Sequence, residues 1–168
     1  MKRRTLLAVG VGTGALLALA GGTLALLKPG LQEGRLSPGG RAMFAAVASA
    51  VLAGLLPADA GARSRALDAH LQRLDLTIAG MPPAVQAEIA ELVTLLASPP
   101  GRLALAGLRP DWPQAGDEGV RAMLQGLRTS SLALRQQVYH ALRNLTNAAW
   151  FVDRSTWAAI GYPGPRAI

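Results

Sequence analysis

Few side chains in this chain could do chemistry. None of its 168 residues is Cys, which removes thiolate zinc sites, iron–sulfur clusters, covalently attached haem, disulfides and cysteine nucleophiles. The two histidines are His70 and His140. Neither has a second ligand at helical spacing: Asp68 and His70 stand two apart and face different sides of a helix. Both imidazoles read as exposed or capping groups. Among the carboxylates, Glu88 and Glu91 share a helix face that suits solvent better than acid–base pairing. Asp117 and Glu118 stand at a helix start, where acids complement the macrodipole. Asp153 is the one acid without an ordinary surface, cap or linker reading, and His140 with Asp153 is the one hydrolytic pairing to weigh. There is no Gly-x-Ser-x-Gly elbow and no phosphate loop. Gly10-Val11-Gly12 lies in the leader with no strand before it. The expectation is a chain with no catalytic group, no metal site and no cofactor of its own.

The aromatic residues say more by position. The seven are Phe44, Trp112, Tyr139, Trp150, Phe151, Trp157 and Tyr162, and five of them fall between Tyr139 and Tyr162. Clustered aromatics serve either as internal anchors, through their large buried area, or as a contact surface, where Trp and Tyr are favoured. Composition leaves the two readings open.

These residues need elements to position them, and the pattern is helical nearly throughout. Apolar residues at spacings of three and four predict a first helix over 41–56, with Phe44, Val47, Ala48, Val51, Leu52 and Leu55 on one face. A second spans 61–78, with Leu67, Leu71, Leu74 and Ile78 inward and Arg63, Arg65, Asp68, Gln72 and Arg73 outward. A third starts at Pro82 or Pro83, since proline suits a first turn, and runs through Val85, Ile89, Leu92, Val93 and Leu96. Ser98-Pro99-Pro100 ends it and caps a short helix through Leu103 and Leu105. Asp117 caps a helix to Leu127. Ser130 or Ser131 caps the longest helix, reaching about Val152, and Asp153 or Ser155 opens a final short one. Strand signals are almost absent. The fold class is all-α: a bundle of about five to six antiparallel helices.

Three segments divide the chain: a leader over 1–28, a Pro/Gly-rich linker over 29–40 and a helical domain over 41–168. The leader opens with Lys2, Arg3 and Arg4, continues in 22 uncharged, mostly apolar residues over 6–27, and closes on Lys28. That run is long enough to span a bilayer. Arg3-Arg4-Thr5-Leu6-Leu7 has the twin-arginine arrangement, which exports folded cargo; its glycines dilute the hydrophobicity, and Ala18-Leu19-Ala20 offers a cleavage triplet. The predicted location is the periplasm, with the leader as an inner-membrane anchor if it is retained. The net charge of +7 invites a nucleic-acid reading. Without the leader, however, the body carries 13 basic and 10 acidic residues. The basic excess belongs largely to the address label, so no nucleic-acid partner is expected.

The stretch Tyr139-His140-Ala141-Leu142-Arg143-Asn144-Leu145-Thr146, then Ala149-Trp150-Phe151, then Trp157-Ala158-Ala159-Ile160-Gly161-Tyr162-Pro163-Gly164-Pro165 resembles the gluconate 2-dehydrogenase subunit 3 family. The segment from Phe44 to Pro57, ending in Leu-Leu-Pro, also looks like that family's first helix. The middle of the chain, over 67–127, carries no family motif, and the aromatic pair is Trp150-Phe151 rather than two tyrosines. The resemblance implies a non-catalytic small subunit. Its large partner would be a flavin-dependent oxidoreductase of the glucose–methanol–choline type holding FAD, often with a cytochrome c subunit. It further implies that Arg3 and Arg4 engage the twin-arginine machinery. Trp150, Phe151, Trp157, Gly161, Tyr162, Pro163, Gly164 and Pro165 would form or shape the docking end. The alternative reading is a membrane-anchored periplasmic helical binding module without a redox partner.

Overall fold

The computed structural model describes residues 27–165. Arg3, Arg4 and the apolar run up to residue 26 lie outside the described residues. The described chain folds as an all-α bundle with one minute hairpin. The elements are β1 (Leu31–Gln32), β2 (Arg35–Leu36), α1 (Pro38–Val51), α2 (Ala60–Ala79), α3 (Pro83–Ala97), α4 (Pro99–Ala106), α5 (Gly116–Arg128) and α6 (Ala133–Phe151). A 3-10 turn over Trp112–Gln114 precedes α5, and a 3-10 helix over Arg154–Ile160 follows α6.

Helix α1 is central because its sequence carries no charge after Arg41. A helix that is apolar nearly all round must be enclosed, and α1 is contacted by α2, α3, α5 and α6. Met43, Phe44, Val47, Ala48 and Ala50 are buried along it. The stripes of the other helices close on it: Leu71, Leu74 and Ile78 from α2, Ile89, Leu92, Val93 and Leu96 from α3, Val120, Met123, Leu124 and Leu127 from α5, and Val138, Leu142, Leu145 and Ala149 from α6. Trp112 joins this core, its indole Nε1 donating to the Leu96 carbonyl at 2.9 Å.

Segment 29–40 is part of the fold rather than a linker. Gly30 is buried, and its amide donates to Thr94 Oγ1 at 2.7 Å. A Cβ at Gly30 would collide with the backbone of Val93 and Thr94, so the close approach demands glycine. The chain then forms β1–β2, with Leu31 opposite Leu36 in antiparallel register. Leu36 is buried, and its amide donates to Asp75 Oδ1 of α2 at 2.9 Å. The other carboxylate oxygen takes Arg41 Nη1 at 2.9 Å. Helix α1 therefore starts at Pro38, capped by the Ser37 hydroxyl, three residues before the predicted start. It stops at Val51 without reaching Pro57, and the chain passes Gly54 at φ +87°.

Other boundaries differ from the predicted ones for physical reasons. Asp59, which the apolar pattern does not single out, caps α2 by accepting the Ala62 amide at 2.8 Å. Asp117 does not cap α5. It lies in the first turn, where its carboxylate takes Arg63 Nη2 at 2.8 Å and the Ser49 hydroxyl, tying α5 to α1 and α2. Neither Ser130 nor Ser131 caps α6, whose Ncap residue is Leu132; the Ser130 hydroxyl accepts the Leu132 amide instead. Ser98 does cap α4, accepting the Gly101 amide at 3.2 Å.

Candidate functional site

The clustered aromatics converge on the C-terminal end of α6. Trp150 and Phe151 close a second, smaller core with Ala48 of α1, Leu52 and Leu56 from the segment after it, and Ala66 and Leu67 from α2. Trp150, a member of the expected docking set, is buried in this core as an internal anchor. Phe151 is half-buried in the same cluster.

Beyond α6 the chain ties itself into a tight corner. Asp153 caps the terminal 3-10 helix, accepting the Ser155 amide at 3.0 Å and its hydroxyl at 2.7 Å. Those two bonds, with Arg73 close by, lower the Asp153 pKa. Thr156 Oγ1 donates back to the Asp153 carbonyl at 2.7 Å. Trp157 is the centre of the corner: its Nε1 donates to the Phe151 carbonyl at 2.7 Å, which folds the helix back on α6. The Tyr162 ring sits 5.2 Å from the Trp157 ring, and the Arg154 guanidinium lies 5.6 Å over it. Gly161, at φ +70°, supplies the left-handed turn that brings Tyr162 round, and Gly164 follows at φ +93°. A Cβ on Gly164 would sit 3.5 Å from Trp157 Cζ3, so the tail crosses the indole. Gly161, Tyr162, Pro163 and Pro165 are exposed, whereas Trp157 and Gly164 are half-buried.

One arginine of α2 fastens this corner to the bundle. Arg73 Nε donates to the Ala149 carbonyl at 3.1 Å, and Nη1 reaches Asp153 Oδ2 at 3.2 Å. Its guanidinium also lies 5.7 Å from the Trp150 ring centre. The sequence places Arg73 on the outward face of the second helix and Asp153 where the terminal helix begins; the structure makes them a pair.

Next to Arg73 lies His70, expected at the surface and in fact fully buried. Its ring is 6.0 Å from that of Trp150. Among the described residues neither imidazole nitrogen has a hydrogen-bond partner, and the same is true of Trp150 Nε1 and Thr146 Oγ1. Burial first, then repulsion from Arg73, lowers the His70 pKa to about 4, so the ring is neutral at pH 7. His140 is exposed, edge-on to Tyr139 with ring centres 5.3 Å apart. Thirteen residues of near-continuous helix separate it from Asp153, about 20 Å along the axis. The structure does not bring the His140–Asp153 pair together. Among the described residues no group of three His, Asp or Glu side chains could hold a metal ion.

The corner leaves apolar side chains in water that helical periodicity does not flag. Val152 is 63% exposed, Ile160 52% and Tyr162 46%. The available signal was positional: Val152 falls just past the end of α6, and Ile160 immediately precedes a helix-ending glycine. A rigid turn that presents Val, Ile and Tyr beside an arginine has the composition of a protein-contact patch. No family model, curated protein or solved structure matches the chain.

Proposed function

We propose that this chain is a non-catalytic accessory subunit that docks a larger exported flavoprotein through its C-terminal corner. The observation that carries the reading is the corner itself. Trp157 is held by the Phe151 carbonyl, Tyr162, Gly164 and Arg154, and around it Val152, Ile160 and Tyr162 stand exposed on a fixed backbone. A patch that is already ordered loses little conformational entropy on binding. Phe151, Trp157, Ile160, Tyr162 and Gly164 also belong to the stretch that resembles the gluconate 2-dehydrogenase subunit 3 family. That resemblance supplies the partner class: a glucose–methanol–choline-type flavin dehydrogenase holding FAD, with a cytochrome c subunit as a further associate. The leader supports export by the twin-arginine route to the periplasm, with a retained apolar run as membrane anchor.

The experiment is affinity purification of the full chain from membranes of its own cells. A large flavoprotein with FAD absorbance should co-elute in fixed proportion. Ile160→Asp combined with Tyr162→Ala should cut its recovery tenfold or more while the helical circular dichroism and melting temperature stay unchanged. Recovery of the chain alone, or of a flavoprotein indifferent to that double substitution, sinks the reading. Carbonate-resistant membrane association without a bound enzyme would favour a helical binding module instead.

A further inference from the structure

The chain meets its apolar leader at the end of the bundle opposite the C-terminal corner, and that end has an unusual surface. Gly30 is fixed against Thr94 and Ser37 by hydrogen bonds of 2.7 Å and 2.9 Å. Only Lys28 and Pro29 therefore separate the folded domain from the last residue of the apolar run. Two residues give no freedom to hold the domain away from whatever the run is embedded in. Around this point a groove of ≈ 670 Å³ is lined by Lys28, Gln32, Ser37, Gly39, Ala97 and Pro99, so the N-terminus of α1 and the C-terminus of α3 share it.

Helix α4 lies across that end. It follows α3 after a single residue and is bent from it by 87°. Its inward side is locked: Arg102, with only 7% of its side chain exposed, pairs with Asp111 at 2.7 Å, and Ala106 is buried. Its outward side shows Pro99, Pro100, Leu103 and Ala104 to solvent, with Leu103 52% exposed. This outward set holds no charged or hydrogen-bonding side chain. Exposed cations stand in the flanking segments, Lys28 before the hairpin, Arg35 on β2 and Arg109 after α4, together with two exposed acids, Glu33 in the hairpin and Asp111, which pairs with Arg102. An exposed apolar strip whose first proline shares a groove with Lys28 and whose adjoining segments carry further cations has the composition of an interfacial membrane element. Among the described residues no single helix is long and apolar enough to cross a membrane.

We infer that the α4 end of the bundle lies on the membrane surface, with Pro99, Pro100 and Leu103 entering the headgroup region and Lys28, Arg35 and Arg109 facing anionic lipid phosphates. The inference rests on the reading of the leader as a retained anchor. The bilayer is the occupant because the chain enters this face from a bilayer-length apolar run with two residues to spare.

The test exploits the absence of native cysteine. Leu103→Cys and, as a control on the exposed side of α6, Ala148→Cys are each labelled with a polarity-sensitive fluorophore in the full chain. Both are reconstituted into phosphatidylcholine–phosphatidylglycerol vesicles carrying a nitroxide on the headgroup. The label at 103 should be quenched at least threefold more than the label at 148 and should shift to the blue. Equal quenching at both sites in a chain that floats with the vesicles and resists carbonate overturns the inference while the anchor stands. Shielding of the 103 label from a water-soluble quencher without lipid quenching also overturns it, because a protein then covers the face. A chain that does not float overturns both.

Discussion

His70 is neutral in the fold and free to charge when unfolded, which fixes the sign of a pH effect. Its folded pKa of about 4 lies below its ordinary value of 6.5. Between these values the unfolded chain holds a proton that the folded chain lacks, so stability rises with pH through the window and is lost as pH falls from 6.5 toward 4. The full effect is roughly 3 kcal/mol at the acid end. Urea unfolding at pH 7, 5.5 and 4.5 should show it. In His70→Leu, which removes two unpartnered nitrogens from an apolar site, this contribution should vanish and stability at pH 7 should not fall. An undiminished slope in that variant would locate the effect elsewhere. The burial was legible in spacing: position 70 is three after Leu67 and four before Leu74, on the apolar stripe of α2. Its polar type alone argues for the surface, and here spacing outweighs type. Arg73 and Asp153 were not legible in this way, since their pairing joins residues eighty apart.

At the scale of elements, Arg73 is the fastening between α2 and the terminal corner. Arg73→Met keeps the stem that packs on Trp150 and removes the bonds to the Ala149 carbonyl and Asp153. Hydrogen exchange should then quicken at least tenfold over 152–162, while the amides of α1 keep their protection. A uniform change across all helices would mean that the corner is not a separate unit of stability. The glycine at the other end makes the opposite kind of prediction. Gly30→Ala places a methyl group into the backbone of α3 and should cost about 2 kcal/mol or more, read as a lowered urea midpoint. The helices themselves were legible because their apolar stripes repeat at helical spacing. Their ends were less so, because polar residues near a helix start serve more than one master. Asp59 and Ser37 cap, whereas Asp117, equally suited by type, is taken by Arg63 and Ser49 from other helices. The Pro/Gly-rich segment misled most. Gly30 and Gly40 mark close packing rather than slack.

For the whole molecule, the two ends of α1 define a direction. Its N-terminal turn lies beside the groove at Lys28, and Ala48 near its C-terminus packs with Trp150, as does Leu52 just beyond it. Fourteen residues of helix separate the Lys28 end from the Trp150 end by ~20 Å. On the proposed reading, a chain tethered at one end and docked at the other would present its corner away from the bilayer, where a large partner meets no steric conflict. That division predicts where the chain can be shortened. Residues 28–168 keep Gly30, the hairpin and Asp75's two partners, and should fold with the melting temperature of the full chain. Residues 41–168, which the sequence pattern marks as the domain, lose buried Leu36, the Ser37 cap and the Gly30–Thr94 bond. Burial of one leucine and one cap together amount to about 3 kcal/mol, with Asp75 left half-buried and short of the Leu36 amide. The shorter chain should therefore melt well below the longer one, by on the order of 10 °C for a domain this size. Thermal circular dichroism of the two decides it: equal melting temperatures would return 29–40 to the status of a linker and detach the tether geometry from the fold.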